Sequence, residues 1–156
     1  MPNMKAGSVL VLFAVLTMGA VLVAGAWHVD EAMAGGGKVK VLYHVDGKDL
    51  ATAKYAMALI NKHIEAEGGP DHIDVKLIVH GPALPLFDAE TVDPGLKAGL
   101  KKIIDQGVDA EMCQVSMKLF GKPLDKLVAG FQPTAHPVAV KRIADLQREG
   151  YVYIKP

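Results

Sequence analysis

Cys113 is the single cysteine of the chain, and His44, His80 and His136 are three of its six histidines. A thiol loses its proton to become a nucleophile, and imidazoles hold protons or anions near neutral pH. A lone thiol closes no disulfide within its own chain. It is a reactive group, an intermolecular partner or a small buried hydrophobe. Which of these applies depends on whether the fold brings the four side chains to one place.

The elements that must position them alternate between two periods. Residues 39–45 form a β-rich run followed by turn chemistry at Asp46-Gly47. Asp49 offers an N-cap to a helix over 50–67, in which Ala53, Ala56, Met57, Ile60 and Ile64 recur at helical spacing. Gly68-Gly69-Pro70 stops it, a second strand covers 73–80, and a proline-rich loop runs to Asp93. A helix over 94–106, a short strand over 108–113, helical pieces at 116–121 and 123–128 and a weak strand at 131–135 follow. Pro137 suits the first turn of a helix ending at Glu149, with Val140, Ile143, Ala144 and Leu146 inward, and 151–154 is a final strand.

Strands alternating with helices predict an α/β fold, a three-layer α/β/α arrangement around a mainly parallel five-stranded sheet. The pattern does not set the strand order. In open sheets of this class, ligands bind at the carboxyl ends of the strands. Chain direction alone puts His44 and Asp46, His80, Cys113, and Thr134 with His136 at those ends. Cys113 also precedes a helical turn, whose free N–H groups favour a thiolate. His28, His63 and His72 are expected to be solvated. Met112 and Met117 beside the thiol are expected to pack in the core, and Asp88, Glu90 and Asp93 to form a solvated acidic loop.

Cysteine with three histidines raises the question of a metal, but no two of them share a close-spaced ligand motif. The expectation therefore includes no metal and no cofactor. The chain lacks GxGxxG after its first strand, GxxxxGK[ST] and GxSxG, so dinucleotide binding, nucleotide hydrolysis and serine hydrolysis lose their usual signals. Lys and Arg number 17 and Asp and Glu number 17, with no basic stripe, which argues against nucleic acid as a partner.

Residues 6–26 carry no charged side chain and follow Lys5. With small residues at Ala24-Gly25-Ala26 and again at Ala32-Met33-Ala34, residues 1–34 read as a secretory signal peptide. The apolar run is also close to the roughly 20 residues that span a bilayer, so an uncleaved inner-membrane anchor is the other reading. Both place the body outside the cytoplasm, in the periplasm or cell envelope. Gly35-Gly36-Gly37 is a joint, and 38–156 is one domain.

Three segments of that domain resemble the DsrE/DsrF-like family. They are Val79-His80-Gly81-Pro82-Ala83, then Gly107-Val108-Asp109-Ala110-Glu111-Met112-Cys113, and the closing Leu146-Gln147-Arg148-Glu149-Gly150-Tyr151-Val152-Tyr153-Ile154-Lys155-Pro156. The resemblance implies a flavodoxin-like layer structure and a role in sulfur metabolism. It implies that Cys113 is a sulfur-accepting residue of a carrier or sulfurtransferase, holding a persulfide and exchanging sulfur with a donor or acceptor protein. It also implies assembly into oligomers, here a homo-oligomer. It assigns no role to the histidines, so His44, His80 and His136 stand as substrate-binding candidates on their rim position alone. The best-known members are cytoplasmic and lack an export segment, so their partners do not transfer directly. A non-catalytic ligand-binding or assembly module with the same fold is the alternative, and a metal or redox-cofactor site built from Cys113 and histidines ranks behind it.

Overall fold

A computed structural model describes residues 37–156. The signal or anchor expected at 1–34 lies outside the described residues, as does the glycine joint apart from Gly37. No helix among the described residues is long and apolar enough to cross a membrane.

Five strands, β1 (Val39–Val45), β2 (Ile73–Val79), β3 (Asp109–Met112), β4 (Phe131–Pro133) and β5 (Val152–Ile154), form one sheet in the order β4-β3-β2-β1-β5. All four pairings are parallel. The chain steps outward from β1 to β4 and then returns to lay β5 on the free side of β1. Helices α1 (Leu50–Ala66) and α2 (Pro94–Asp105) cover one face, and α4 (Ala139–Arg148) covers the other. The short α3 (Gln114–Leu119) lies at the carboxyl end of β3.

Successive strand side chains point to opposite faces. Val41, Tyr43 and Val45 of β1, Val75, Leu77 and Val79 of β2, and Ala110 and Met112 of β3 therefore enter the larger core. There they meet Ala53, Ala56, Met57, Ile60 and Ile64 of α1, the five positions that the helical spacing picked out. Asp49 caps that helix as expected, its carboxylate accepting from Thr52 N–H at 2.8 Å. Asp93 caps α2 in the same way, accepting from Leu96 N–H at 2.9 Å.

The opposite face is apolar only in its upper half. Leu42 and Ile78 pack with Cys113 against Ala139, Ile143 and Leu146 of α4. Lower down, the alternate positions are charged: Lys76 pairs with Asp109 and Asp74, and Tyr151 Oη donates to Asp74 at 2.5 Å. One helix suffices for this face because half of it is polar.

The inward set expected of α4 needs correcting. Ala139, Ile143 and Leu146 are buried, spaced by four and three residues, whereas Val140 is 61% exposed. The stretch after β2 is likewise a 3-10 helix, Gly81–Phe87, rather than an irregular loop, and it buries Ala83, Leu84 and Phe87. Asp88 does not belong to a solvated acidic loop. It is buried, paired with Lys122, and its carboxylate accepts from Glu90 N–H at 3.0 Å.

Candidate functional site

The structure places each rim residue at the carboxyl edge of the sheet, but it divides them into two groups. Cys113 terminates β3, and its backbone N–H donates to Val79 O at 3.0 Å. Met112 pairs with Val79, so Cys113 and His80, each one residue further on, stand at adjacent strand ends. The Cys113 side chain points to the α4 side and is 4% exposed.

The first group surrounds the sulfur. As a thiol, Cys113 donates to Pro137 O at 3.5 Å. Ser116, one turn into α3, accepts from Gly81 N–H at 2.8 Å through its Oγ, which fixes the hydroxyl beside the sulfur. Burial pushes the Cys113 pKa up. Hydrogen bonds from the Ser116 hydroxyl and from the Ser116 and Ala139 backbone N–H groups outweigh it, and the pKa falls below the ordinary thiol value. Met112 is buried in the larger core, and Met117 packs against it from a partly buried position, so both are packing residues, as expected. Thr134 is fully buried, and its carbonyl accepts from Gln114 Nε2 at 2.6 Å, tying the β4 end to the start of α3.

The second group gathers on β1 and β2. His44 and His80 approach Nε2 to Nε2 at 2.7 Å with nearly stacked rings. Asp46, two residues along from His44, brings Oδ2 to 3.8 Å from His44 Nε2. Tyr153 of β5 lies on the other side of His44, with Oη 2.6 Å from Nδ1, and Lys155 Nζ is 2.9 Å from Asp46 Oδ2. Burial lowers the His44 pKa to about 4, helped by the neighbouring His80 and the Lys155 charge and opposed by Asp46. Burial lowers the His80 pKa as well. Both shifts favour the neutral ring.

His136 joins neither group by a hydrogen bond. Its Nδ1 accepts locally from Val138 N–H at 3.1 Å. Among the described residues no hydrogen bond links Cys113 to a histidine. His63, expected to be solvated, instead meets the buried Tyr43, with Nδ1 2.9 Å from the phenol oxygen, and so has a structural task. Sequence reasoning missed Ser116, Tyr153 and Lys155. The alternation in Tyr151-Val152-Tyr153 was the available signal: it puts both tyrosines on the same face of the closing stretch.

The DsrE/DsrF-like family model matches residues 39–156, the whole of the described sheet and its helices. The chain belongs to the DsrE/DsrF-like family. Among solved structures it is similar to MTH1491 from Methanobacterium thermoautotrophicum, a protein of unknown function. The two share 18% identity and a TM-score of 0.66 over 76% of this chain and 100% of the other. It is also similar to the ychN protein from E. coli, at 12% identity and a TM-score of 0.60 over 76% of this chain and 99% of that one. BT1422 from Bacteroides thetaiotaomicron, of unknown function, follows at 14% identity and a TM-score of 0.51, over 75% of this chain and 94% of that one. No curated protein matches. At these identities the likeness supports the fold, the flavodoxin-like three-layer arrangement, and family membership makes a sulfur-related role plausible.

Proposed function

We propose that this member of the family is a sulfur carrier, with Cys113 as the residue that is loaded. The observation that carries the reading is the setting of the sulfur at the start of α3, where the Ser116 hydroxyl and the Ser116, Ala139 and Val115 backbone N–H groups favour the thiolate despite burial. The thiolate attacks the sulfane sulfur of a donor such as thiosulfate. A Sγ–S bond forms, the donor S–S bond breaks, and sulfite leaves with the electron pair. The product is a persulfide anion, which keeps the charge of the thiolate, so the same N–H groups hold it. An acceptor protein thiol then takes the outer sulfur by the same displacement. His80, at the neighbouring strand end, and His136 on the same rim are the groups offered to the donor's anionic end, with His44 behind His80 and bonded to it at 2.7 Å. In this reading the apolar segment at 6–26 takes the domain to the periplasm or holds it at the inner membrane, and the carrier works as a homo-oligomer.

Incubation of the purified chain with thiosulfate or polysulfide, followed by intact-mass spectrometry, tests the reading. A gain of one or more sulfur atoms, lost in Cys113→Ser, is expected. No gain with any donor sinks it. The second reading, a binding or assembly module in which the cysteine only packs, is favoured by the 4% exposure of Cys113 and its place among Ile78 and Ala139. It predicts that Cys113→Ser leaves function intact.

A further inference from the structure

We infer that His44, Asp46 and His80 form a binding site for a divalent transition-metal ion of the zinc class. This site is separate from Cys113, and the inference does not rest on the carrier reading.

The geometry is the first argument. One donor atom from each of the three residues falls within a group whose members all lie within 4.8 Å of one another. A tetrahedral ion about 2.0–2.1 Å from each donor spaces its ligands about 3.3 Å apart. The distances present, 2.7 Å between the two Nε2 atoms and 3.8 Å from His44 Nε2 to Asp46 Oδ2, bracket that spacing. Binding needs the two Nε2 atoms to separate by about 0.6 Å, a turn of both rings that aims their lone pairs at the ion, and departure of the proton shared between them.

Placement is the second argument. His44 and Asp46 are alternate residues at the end of β1, and His80 N–H donates to Val45 O at 3.1 Å, so two parallel strands fix all three backbones. β1 is also the strand at which the sheet order reverses, with β2 on one side and the last strand on the other. The carboxyl end of the strands at such a switch point is where open α/β sheets bind ligands.

The outer contacts are the third argument. A metal-bound histidine commonly uses its second ring nitrogen for a hydrogen bond that fixes ring orientation. His44 does this through Nδ1 and Tyr153 Oη at 2.6 Å. Two clefts reach His44, one lined also by Val140, Ile143, Gln147 and Tyr153 and the other also by Asp46, Thr52 and Lys155. Three protein donors with an open approach make a site that keeps a position for water or an anion. Lys155 opposes the ion, because its ammonium already pairs with Asp46.

The test uses the full chain without a polyhistidine tag, stripped by a chelator and titrated with zinc chloride in a calorimeter. One zinc ion per chain is expected. His44→Gln and His80→Gln each weaken binding, Tyr153→Phe weakens it roughly tenfold, and Cys113→Ser and His136→Ala leave it unchanged. Lys155→Met, at an exposed position that leaves the fold intact, tightens it severalfold. Cobalt(II) added in place of zinc gives tetrahedral visible absorption without a sulfur-to-metal charge-transfer band. Several results overturn the assignment: no zinc uptake by the folded parent, uptake that survives both histidine substitutions, uptake lost in Cys113→Ser, or an unchanged affinity in Lys155→Met.

Discussion

Arg142 of α4 grips the Glu111 carboxylate of β3 with two guanidinium nitrogens, Nη2 at 2.8 Å and Nε at 3.1 and 3.2 Å from the two oxygens. Both side chains are largely buried, and Glu111 also accepts from Ala135 N–H at 3.3 Å. Glu111 stands two residues before Cys113, and α4 begins with Ala139, whose N–H faces the sulfur. The ion pair thus holds the roof of the thiol site to its floor.

Removing one partner leaves a buried charge without compensation. Arg142→Met should cost about 3 kcal/mol, read as a lower urea midpoint. It should also speed alkylation of Cys113 by loosening α4. The double variant with Glu111→Gln should recover part of the stability. A cycle with no coupling would show that the pair contributes little.

Ser116→Ala should move the pH profile of Cys113 alkylation upward, since the hydroxyl is the leading group that lowers the thiol pKa against burial. The same change leaves Gly81 N–H without its acceptor, at a cost of about 1 kcal/mol. Ser116→Thr, which keeps the hydroxyl, should restore the profile. Rates of iodoacetamide labelling between pH 5 and 10 would check both.

Acid should destabilise the domain through Asp88 and Asp93. Lys122 and Glu90 N–H hold the Asp88 pKa below its ordinary value, and Leu96 N–H and Lys54 do the same for Asp93. A carboxylate whose folded pKa is depressed adds stability that is complete above its unfolded value, about pH 4. That stability is lost as the pH falls through the folded value. These carboxylates therefore add a decline in the urea midpoint below about pH 5, and His44 and His80, whose folded pKa values are lowered, add an earlier one that starts as the pH falls through the unfolded histidine value, about 6.5. Asp88→Asn should flatten the carboxylate decline.

Gly130→Ala should be strongly unfavourable. Gly130 has φ +107°, and a Cβ there would come within 2.5 Å of Ile104 Cδ1. Backbone strain and overpacking of a side chain on α2 add to about 2–4 kcal/mol. A thermal melt lowered by several degrees would confirm it, and an unchanged melt would show that Ile104 moves aside freely.

The strands and long helices were legible because their apolar positions repeat with clear periods, as in α1. Val140 was misjudged because residues 139, 143 and 146 and residues 140, 143 and 144 fit a helical stripe about equally well, and only the sheet decides between them. The rim was legible from chain direction, which put His44, His80 and Cys113 on one edge. Their grouping was not, because it depends on strand order. Tyr153 reaches His44 across 109 residues, and Lys155 reaches Asp46 across the same separation. The burial of Asp88 is not legible locally, because its partner Lys122 lies far along the chain. His63 was misread for the same reason, its partner Tyr43 being on β1.

The return of β5 to the side of β1 has a consequence for how the molecule is made. Of the five described strands, the first to leave the ribosome is the one whose outer neighbour, Val152–Ile154, is translated last. Sheet closure, and with it the contact of Tyr153 with His44, waits for almost the whole domain, and pairing over such separations is slow. Until then one edge of β1 stays open to other chains. Any chain ending before Val152 would keep its thiol-bearing strand but would lack both the outer contact of the histidine pair and the strand that seals that edge.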